Sequence, residues 1–548
     1  MFTLLVRLAD ESIAATTYAR DDTGELKQTE TRSLPPGDDE ALLEEVDRGE
    51  AEHTRWVWDD TFRWYPALLA AGRRVERCVD LRLVHAILRR SAFTAGAALH
   101  GAAPGAWDAA QAAVADAGAL FVVQQESIAG ADVEFLRQRE AIERSPQRSR
   151  LELLSAAEST GALIACEMRH RGIPWSATRH DELLTAALGP RPRGVGDRPS
   201  GMLGDLSAVR SALEAPDLNP DSPGDLIKAL RQAGLQVKTT RQWELRELEH
   251  PAIAPLLAYK KKQRLLVANG WSWLDTWVVG GRFRPEYVPA AAATGRWGTS
   301  GGGALQLPRA VRGAVTADTG WKLVVADASQ LEPRILTALA QDEAMARAGE
   351  GDLYEGIVAS GAVATRAEAK VAMLGAMYGA TQGDGGRLMP RLTRAFPKAI
   401  ALVEAAARTG EQGGIVTTLL GRSSPPPGTF DASRPPEDGP AAVDGGMRAW
   451  GRFTRNFVVQ GTAAEWALCW MGALRRTLAE QWGAGAEAPH LVFFLHDEVV
   501  VHTPEDIADD VADAVRAAAT EAGRLLFGRA PVRFPVTVAV VDSYDKAK

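Results

Sequence analysis

The chain has 548 residues, 46% of them hydrophobic and 24% charged, with a formal net charge of −8 at pH 7; it is long enough for several domains and a large core. That charge argues against indiscriminate nucleic-acid binding, yet acids crowd into stretches such as 38–52 while 259–264 (YKKKQR) is locally basic, so a basic-lined cleft stays open. Cys78, Cys166 and Cys469 are isolated from one another, which suggests neither a disulfide framework nor a zinc site; no apolar run is long enough to span a membrane, and Arg7 and Asp10 interrupt the first apolar stretch too early for a secretory signal, so a cytoplasmic location is expected.

Residues 1 to about 150 read as a mixed α/β domain, with strand-like runs at 2–7 and 56–58 and alanine-rich, helix-like segments at 84–98 and 106–117. Asp59 and Asp60 follow a strand-like run, where a helix cap is a commoner role than a metal ligand. From 151 the pattern turns helical: 151–175 is long and amphipathic, closed by Gly172 and Pro174. Proline and glycine punctuate 188–202, and a further helix is expected with Ser222 as cap, Pro223 in its first turn and Gly234 at its end. Residues 277–293 read as paired strands leading into Thr294, Gly295 and Arg296. Gly301, Gly302 and Gly303 allow close backbone approach, with Gln306 and Arg309 in reach of a nucleic-acid strand.

The stretch 323–334, LVVADASQLEPR, concentrates chemistry. Leu323, Val324 and Val325 suit a buried strand, and a lone carboxylate at its end, Asp327, costs free energy unless a cation meets it. Leu331, Ile335, Leu336 and Leu339 then recur at helical spacing, so a helix starts near Ser329 or Gln330. A strand-end aspartate that merely caps that helix is the plainer alternative. Farther on, Arg366, Lys370, Leu374 and Tyr378 fall at successive i+4 steps and line one helix stripe, able to hold a triphosphate at one end and stack a base at the other, or else to be a solvated face. Most of 336–450 reads as helical, except that 424–446 is too rich in proline and glycine to be regular. Arg452, Asn456 and Gln460 again step by four along a helix over 452–470. Finally, 491–495 and 499–501 are β-rich runs separated only by His496, Asp497 and Glu498, a hairpin spacing with charge at its tip. With that hairpin beside the first strand, Asp327 and Asp497 can clasp two divalent ions roughly 3.5–4 Å apart, as an in-line phosphoryl displacement requires. Hard oxygen donors without thiolates select magnesium or manganese.

In order and spacing, DASQLEPR, RAEAKVAMLGAMYG and LHDEVV resemble the three polymerase motifs of the family A DNA polymerases, the bacterial DNA polymerase I type. Segments at 294–309, 413–424 and 452–466 agree, and the resemblance runs over about 150–548. It implies an α+β multidomain chain: a right-hand polymerase of palm, fingers and thumb with an N-terminal α/β exonuclease-like (RNase H-like) domain. The boundaries expected are 1–150 for that domain, 151–276 for the thumb, 277–335 and 451–548 for the palm, and 336–450 for the fingers. The implied activity is template-directed addition of deoxynucleoside triphosphates to the 3′ end of a primer by two-metal-ion nucleotidyl transfer, in repair or replication, by a monomer acting on primer-template DNA away from any membrane. Two Mg2+ ions, replaceable by Mn2+, would be held by Asp327, the Ala328 carbonyl and Asp497.

Catalytic roles fall by resemblance to Asp327, Asp497, Lys370 and Glu498. Nucleotide contacts fall to Gln330, Glu332, Arg366, Lys370, Leu374, Tyr378 and His496, and DNA contacts to Arg296, Gln306, Arg452, Asn456 and Gln460. Three departures stand out: Ala328 replaces a tyrosine, Ala304 an asparagine and Leu374 an aromatic. The N-terminal domain resembles a degenerate 3′–5′ exonuclease, in a short form of the actinobacterial kind. The chain begins too late for that family's first acidic pair, its next aspartates fall on Trp64 and Gly130, and Glu126 stands where a tyrosine is expected, so proofreading is expected to be absent. Two alternatives are a catalytically silent DNA-binding protein, which would have lost the acids, and a relative making RNA, which Glu332 argues against.

Overall fold

In the computed structural model, which describes residues 1–112, 128–194, 196–379, 383–427 and 446–547, the α+β chain divides into two compact units. The first comprises Met1–Arg171, Tyr287–Ser300 and Val324–Val540, and the second Gly172–Glu286, Gly301–Leu323 and Val541–Lys548.

The first unit opens on a sheet of strands β1 (Phe2–Arg7), β2 (Ile13–Arg20), β3 (Leu26–Leu34), β4 (Arg55–Trp58) and β5 (Cys78–Asp80), in the order β3-β2-β1-β4-β5. The first three pair antiparallel and β1, β4 and β5 run parallel. Helices explain the difference: the parallel strand β4 is covered on both faces, so Trp56, Val57 and Trp58 are all buried, whereas the edge strand β3 is mostly exposed. The alanine-rich segments form less helix than their composition predicts. The first ends its helix at Leu88 (Leu81–Leu88) because Ser91 caps a separate turn, Ala92–Thr94; the second yields only the turn Ala106–Asp108 after Pro104 and Gly105, and 113–117 lie outside the described residues.

Three buried carboxylates anchor this domain. Asp60 caps the helix Thr61–Ala70 through the Phe62 N–H (2.9 Å) and also accepts from Arg82 Nε (2.8 Å) and the Ala112 N–H (2.9 Å). Asp59 accepts from the Trp64 indole (2.8 Å), Arg63 (3.0 Å) and the Ile128 N–H (3.0 Å). Asp80 caps Leu81–Leu88 and accepts the N–H groups of Thr61 (2.8 Å) and Leu83 (2.9 Å). The helix Arg148–Arg171 follows and stops at Gly172, whose φ of 72° favours glycine. Its buried face packs on Thr61–Ala70 and on the long helix Gly446–Trp482, all within the first unit.

The second unit is mainly helical, with a small sheet of β6 (Ile173–Pro174), β7 (Val278–Val279) and β8 (Arg282–Phe283) in the order β6-β8-β7. Its helix Pro223–Gln232 has the Ser222 cap and first-turn proline expected, and Gly234 follows with φ 85°. The basic run lies on the helix Ile253–Asn269, where Lys262 bonds Asp205 (2.8 Å) and the Gly201 carbonyl (2.7 Å). Strands β9 (Glu286–Val288) and β10 (Gly298–Gly301) pair as a ribbon.

The remaining strands, β11 (Trp321–Ala328), β12 (His490–Leu495), β13 (Glu498–Pro504) and β14 (Val536–Val541), form a sheet in the order β12-β13-β11-β14. Leu323 to Ala326 and Val499 to Val501 are all buried, which at about 1.5–3 kcal/mol for each large apolar side chain makes this sheet a rigid floor. Between β11 and β12 the described chain is mostly helical, as its periodicity requires, apart from a loop over 413–427. The irregular segment expected at 424–446 lies mostly outside the described residues. Among the described residues no helix is long and apolar enough to cross a membrane.

Candidate active site

Asp327 is the penultimate residue of β11, and the N–H of the next residue, Ala328, donates to the carbonyl oxygen of Asp497 (2.8 Å). That one backbone bond brings the two acids together from residues 170 positions apart. The hairpin is tighter than its polar composition implies. Leu495 pairs with Glu498, so the loop is only His496 and Asp497, and Glu498, expected in the turn, is instead the buried first residue of β13. The turn closes through the Asp497 N–H on the Leu495 carbonyl (2.6 Å), with His496 at φ 56°. A side-chain-bearing residue held there is strained by about 1–3 kcal/mol, and the buried strands on either side offset that cost.

Charge is unbalanced at this tip. The Asp497 carboxyl is pushed up to about 6, first by burial and then by Asp327, with Arg296 pulling the other way. His496 is pushed down to about 4 by burial and by Arg296, so its imidazole is neutral at pH 7, and among the described residues its buried Nδ1 has no hydrogen-bond partner. Arg296 is itself ion-paired with Glu332. Two facing carboxylates with surplus negative charge are a donor set for a hard divalent cation. Among the described residues no group of three or more His, Cys, Asp or Glu side chains is gathered for a metal, so the pair would need backbone oxygen to complete a site.

The stripe expected on the next helix is present. Thr365 and Glu368 form a capping box that starts Arg366–Tyr378, and Gly379, at φ 75°, ends it. Arg366, Lys370, Leu374 and Tyr378 are exposed, while Ala369, Ala372, Met373, Ala376 and Met377 are buried on the other face. Arg366 is held by Asp352 (2.9 Å) and lies over the Tyr354 ring (5.4 Å). Asp352 also accepts from the Gln330 amide (2.8 Å), whose oxygen accepts from the Leu353 N–H (3.0 Å) and from Arg334 (3.2 Å). Gln330 is therefore engaged with the chain itself. Asp352 and the buried Arg334 escaped the sequence reading, because Asp352 looks like an ordinary helix cap and Arg334 like part of a helix face.

The C-terminal end of the stripe meets the helices Leu331–Ala340 and Gly446–Trp482. The Tyr378 hydroxyl lies 3.5 Å from Glu332 and hydrogen-bonds Asn456 and Gln460, and its pKa is raised first by burial and then by Glu332. Asn456 and Gln460 thus face inward from Gly446–Trp482; Arg452, one turn earlier, is exposed. Arg296, Glu332, His496 and Asp497 line a common cavity of about 60 Å³ with Trp297 and Phe494. Gln306 is exposed at the end of the turn Ala304–Gln306 and belongs to the second unit.

The chain is similar to several known proteins. The model of DNA polymerase family A matches residues 208–546. The thermostable DNA polymerase I of Thermus thermophilus is 30% identical over 343 residues, which cover 58% of this chain and 37% of that protein. DNA polymerase I of Pseudomonas aeruginosa is 28% identical over 297 residues, 49% of this chain and 30% of its own length. The chain thus spans about a third of the length of the curated relatives it matches. Among solved structures, the POL domain of Pol1 from M. smegmatis, in complex with DNA primer-template and dNTP, is similar with a TM-score of 0.69 at 19% identity, covering 100% of this chain and 95% of that one. The fold is that of such a polymerase domain.

The charge imbalance makes a measurable prediction. Folding raises the Asp497 pKa from 3.8 to about 6, so the folded state holds this proton more tightly, and the stability it brings is present below about pH 4 and lost as pH rises through 6. In metal-free protein, Asp497→Asn should gain on the wild type by about 1–2 kcal/mol between pH 4 and pH 7, discounted for partial solvent access. Urea midpoints read this directly, and a pH-independent gap between the two proteins contradicts it.

Proposed function

This chain belongs to DNA polymerase family A, and from that premise we propose that it is a DNA-directed DNA polymerase, extending a primer 3′ end along a DNA template in repair or replication. The observation that carries the reading is the joining of Asp327 and Asp497 across β11 and β13, with Glu332, five residues after Asp327, touching Tyr378 at the end of the exposed Arg366-Lys370-Leu374-Tyr378 stripe. Along that stripe the cations Arg366 and Lys370, then Leu374, then the aromatic Tyr378 follow in the order phosphate, sugar, base.

Asp327, Asp497 and the Ala328 carbonyl would hold divalent ions, magnesium with manganese as a substitute; ions bound there supply a lowered pKa at the primer 3′ hydroxyl and charge neutralisation at the departing pyrophosphate. Arg366 and Lys370 bind the triphosphate, and Lys370 passes a proton to the leaving pyrophosphate. Gln330 acts through Asp352, which holds Arg366. Tyr378 stacks under the base, while Glu332, fixed by Arg296 and Tyr378, closes the space a ribose 2′ hydroxyl needs. The neutral His496 lies beside the primer end and Glu498 supports Asp497. Arg296, Gln306, Arg452, Asn456 and Gln460 contact primer and template. The subdomains follow the limits 1–150, 151–276, 277–335 with 451–548, and 336–450, and the protein acts as a cytoplasmic monomer. The N-terminal domain does not proofread: Asp59, Asp60 and Asp80 are spent on helix caps, an indole and arginines.

Asp327→Asn and Asp497→Asn should each lower primer extension by more than about a hundredfold while changing primer-template affinity less than about threefold, since they remove cation ligands and not phosphate contacts. Extension within tenfold of wild type for either would sink the assignment. Glu332→Ala should raise ribonucleotide use relative to deoxynucleotide use, and Leu374→Tyr should improve dideoxynucleotide incorporation; single-nucleotide extension with each substrate measures both, and unchanged ratios would move sugar selection elsewhere. A labelled, mismatched primer incubated with magnesium and no nucleotide should stay intact. Shortening that persists in Asp327→Asn would give the first domain an activity of its own.

A further inference from the structure

The loop 413–424 carries a buried arginine that the polymerase reading leaves without a task. Arg422 is ion-paired with Glu158 of the helix Arg148–Arg171, and both side chains are buried. The loop is docked on the N-terminal domain: the Ser91 hydroxyl donates to the Gly421 carbonyl (2.6 Å) and the Ala92 N–H to Ser423 Oγ (2.9 Å). Leu420 packs with Ile87 and Leu154, and a side chain at Gly421 would strike Phe93 and Leu151. The Glu158 carboxylate also feels the charge of Arg82, which bonds Asp60 (2.8 Å). Asp60–Arg82 and Glu158–Arg422 are therefore two buried ion pairs in series, a run of alternating charges joined between Arg82 and Glu158 by charge and not by a hydrogen bond. Removing one member of such a run leaves its neighbour buried and uncompensated.

The other side of Arg422 faces the active site. Its guanidinium packs so closely on Gly295 that a Cβ there would fall 2.6 Å from Arg422 Nε, and Gly295 has φ 85°. Gly295 is the corner of a tight turn, in which its N–H bonds the Ala292 carbonyl (2.8 Å) and the Ala292 N–H bonds the Arg296 carbonyl (3.0 Å). Close by, Gly461 has room for only a hydrogen beside Thr418 of the same loop and the Thr294 carbonyl. The residue after Gly295 is Arg296, which pairs with Glu332 and acts on Asp497.

We propose that Arg422 is a positioning residue for the transfer reaction: the buried run Asp60-Arg82-Glu158-Arg422 fixes the turn at Gly295, so that the N-terminal domain serves to hold Arg296 in place. The proposal rests on the reading of Arg296 as a contact to the primer, and it gives the first domain a mechanical role in polymerisation.

The test uses the full chain with Arg422→Gln. In 15N-arginine-labelled protein, the Arg296 Nε–H resonance, identified by its loss in Arg296→Lys, should move in Arg422→Gln while that of Arg198 in the second unit stays in place. In single-turnover extension of a primed template, Arg422→Gln should lower the maximal rate roughly tenfold with the nucleotide half-saturation changed less than about twofold, and the same substitution made in Arg296→Ala should cost less than about twofold. A general weakening of the fold would not produce that coupling. If Arg422→Gln does not melt cooperatively, Ser91→Ala takes its place, with a loss of roughly threefold and the same coupling to Arg296. An unmoved Arg296 resonance, or losses that multiply in the double variant, overturns the proposal. A wild-type chain that cannot extend primers would refute the polymerase reading, and the resonance alone would then decide whether Arg422 positions Arg296.

Discussion

Asp327 and Asp497 repel one another, and the structure is arranged to keep them together in spite of it. The backbone bond from Ala328 to Asp497 sets their register, and the strained turn at His496 presents the second acid at the tip of a two-residue hairpin. Neither could hold on a pliable support. The apolar strands behind them are fully buried, so moving either carboxylate away from the other would open a well-packed sheet. Burial first, and then that repulsion, raise the proton affinity of Asp497, and a divalent cation drawn to the pair would relieve both.

Around that pair the cations are rationed by ion pairing. Arg296 lowers the Asp497 pKa from a distance but is itself bound to Glu332, and Arg366 at the far end of the stripe is bound to Asp352. Glu332 is also within reach of Tyr378, whose hydroxyl bonds Asn456 and Gln460. One connected network therefore runs from the β11 strand end to the exposed helix stripe and the long helix. A similar economy governs the N-terminal domain, where buried carboxylates cap helices and neutralise arginine.

Much of this was legible because periodicity reports burial. The i+4 spacing of Arg366, Lys370, Leu374 and Tyr378 predicts a shared exposed face, and the packed face of alanines and methionines opposite confirms it. Ser222 and Pro223 announce their helix because an N-cap and a first-turn proline act locally. The alanine-rich segments misled for the complementary reason: alanine permits helix, but Ser91 and Gly105 end it, and tertiary contacts decide which influence wins.

What the sequence determined by itself was whatever depends on near neighbours: strand and helix type, the caps, the hairpin around residue 496 and the kinds of donor at each motif. What only the tertiary structure decided was partnership between distant residues. Nothing local announces that Gln330 is committed to Asp352, that Glu498 leaves the turn for a buried strand position, or that Arg422 packs against Gly295 while paired with Glu158. Those outcomes turn on which charged groups are forced out of water together, and a buried charge takes its partner from whatever the fold brings within reach, however far away that residue lies in the chain.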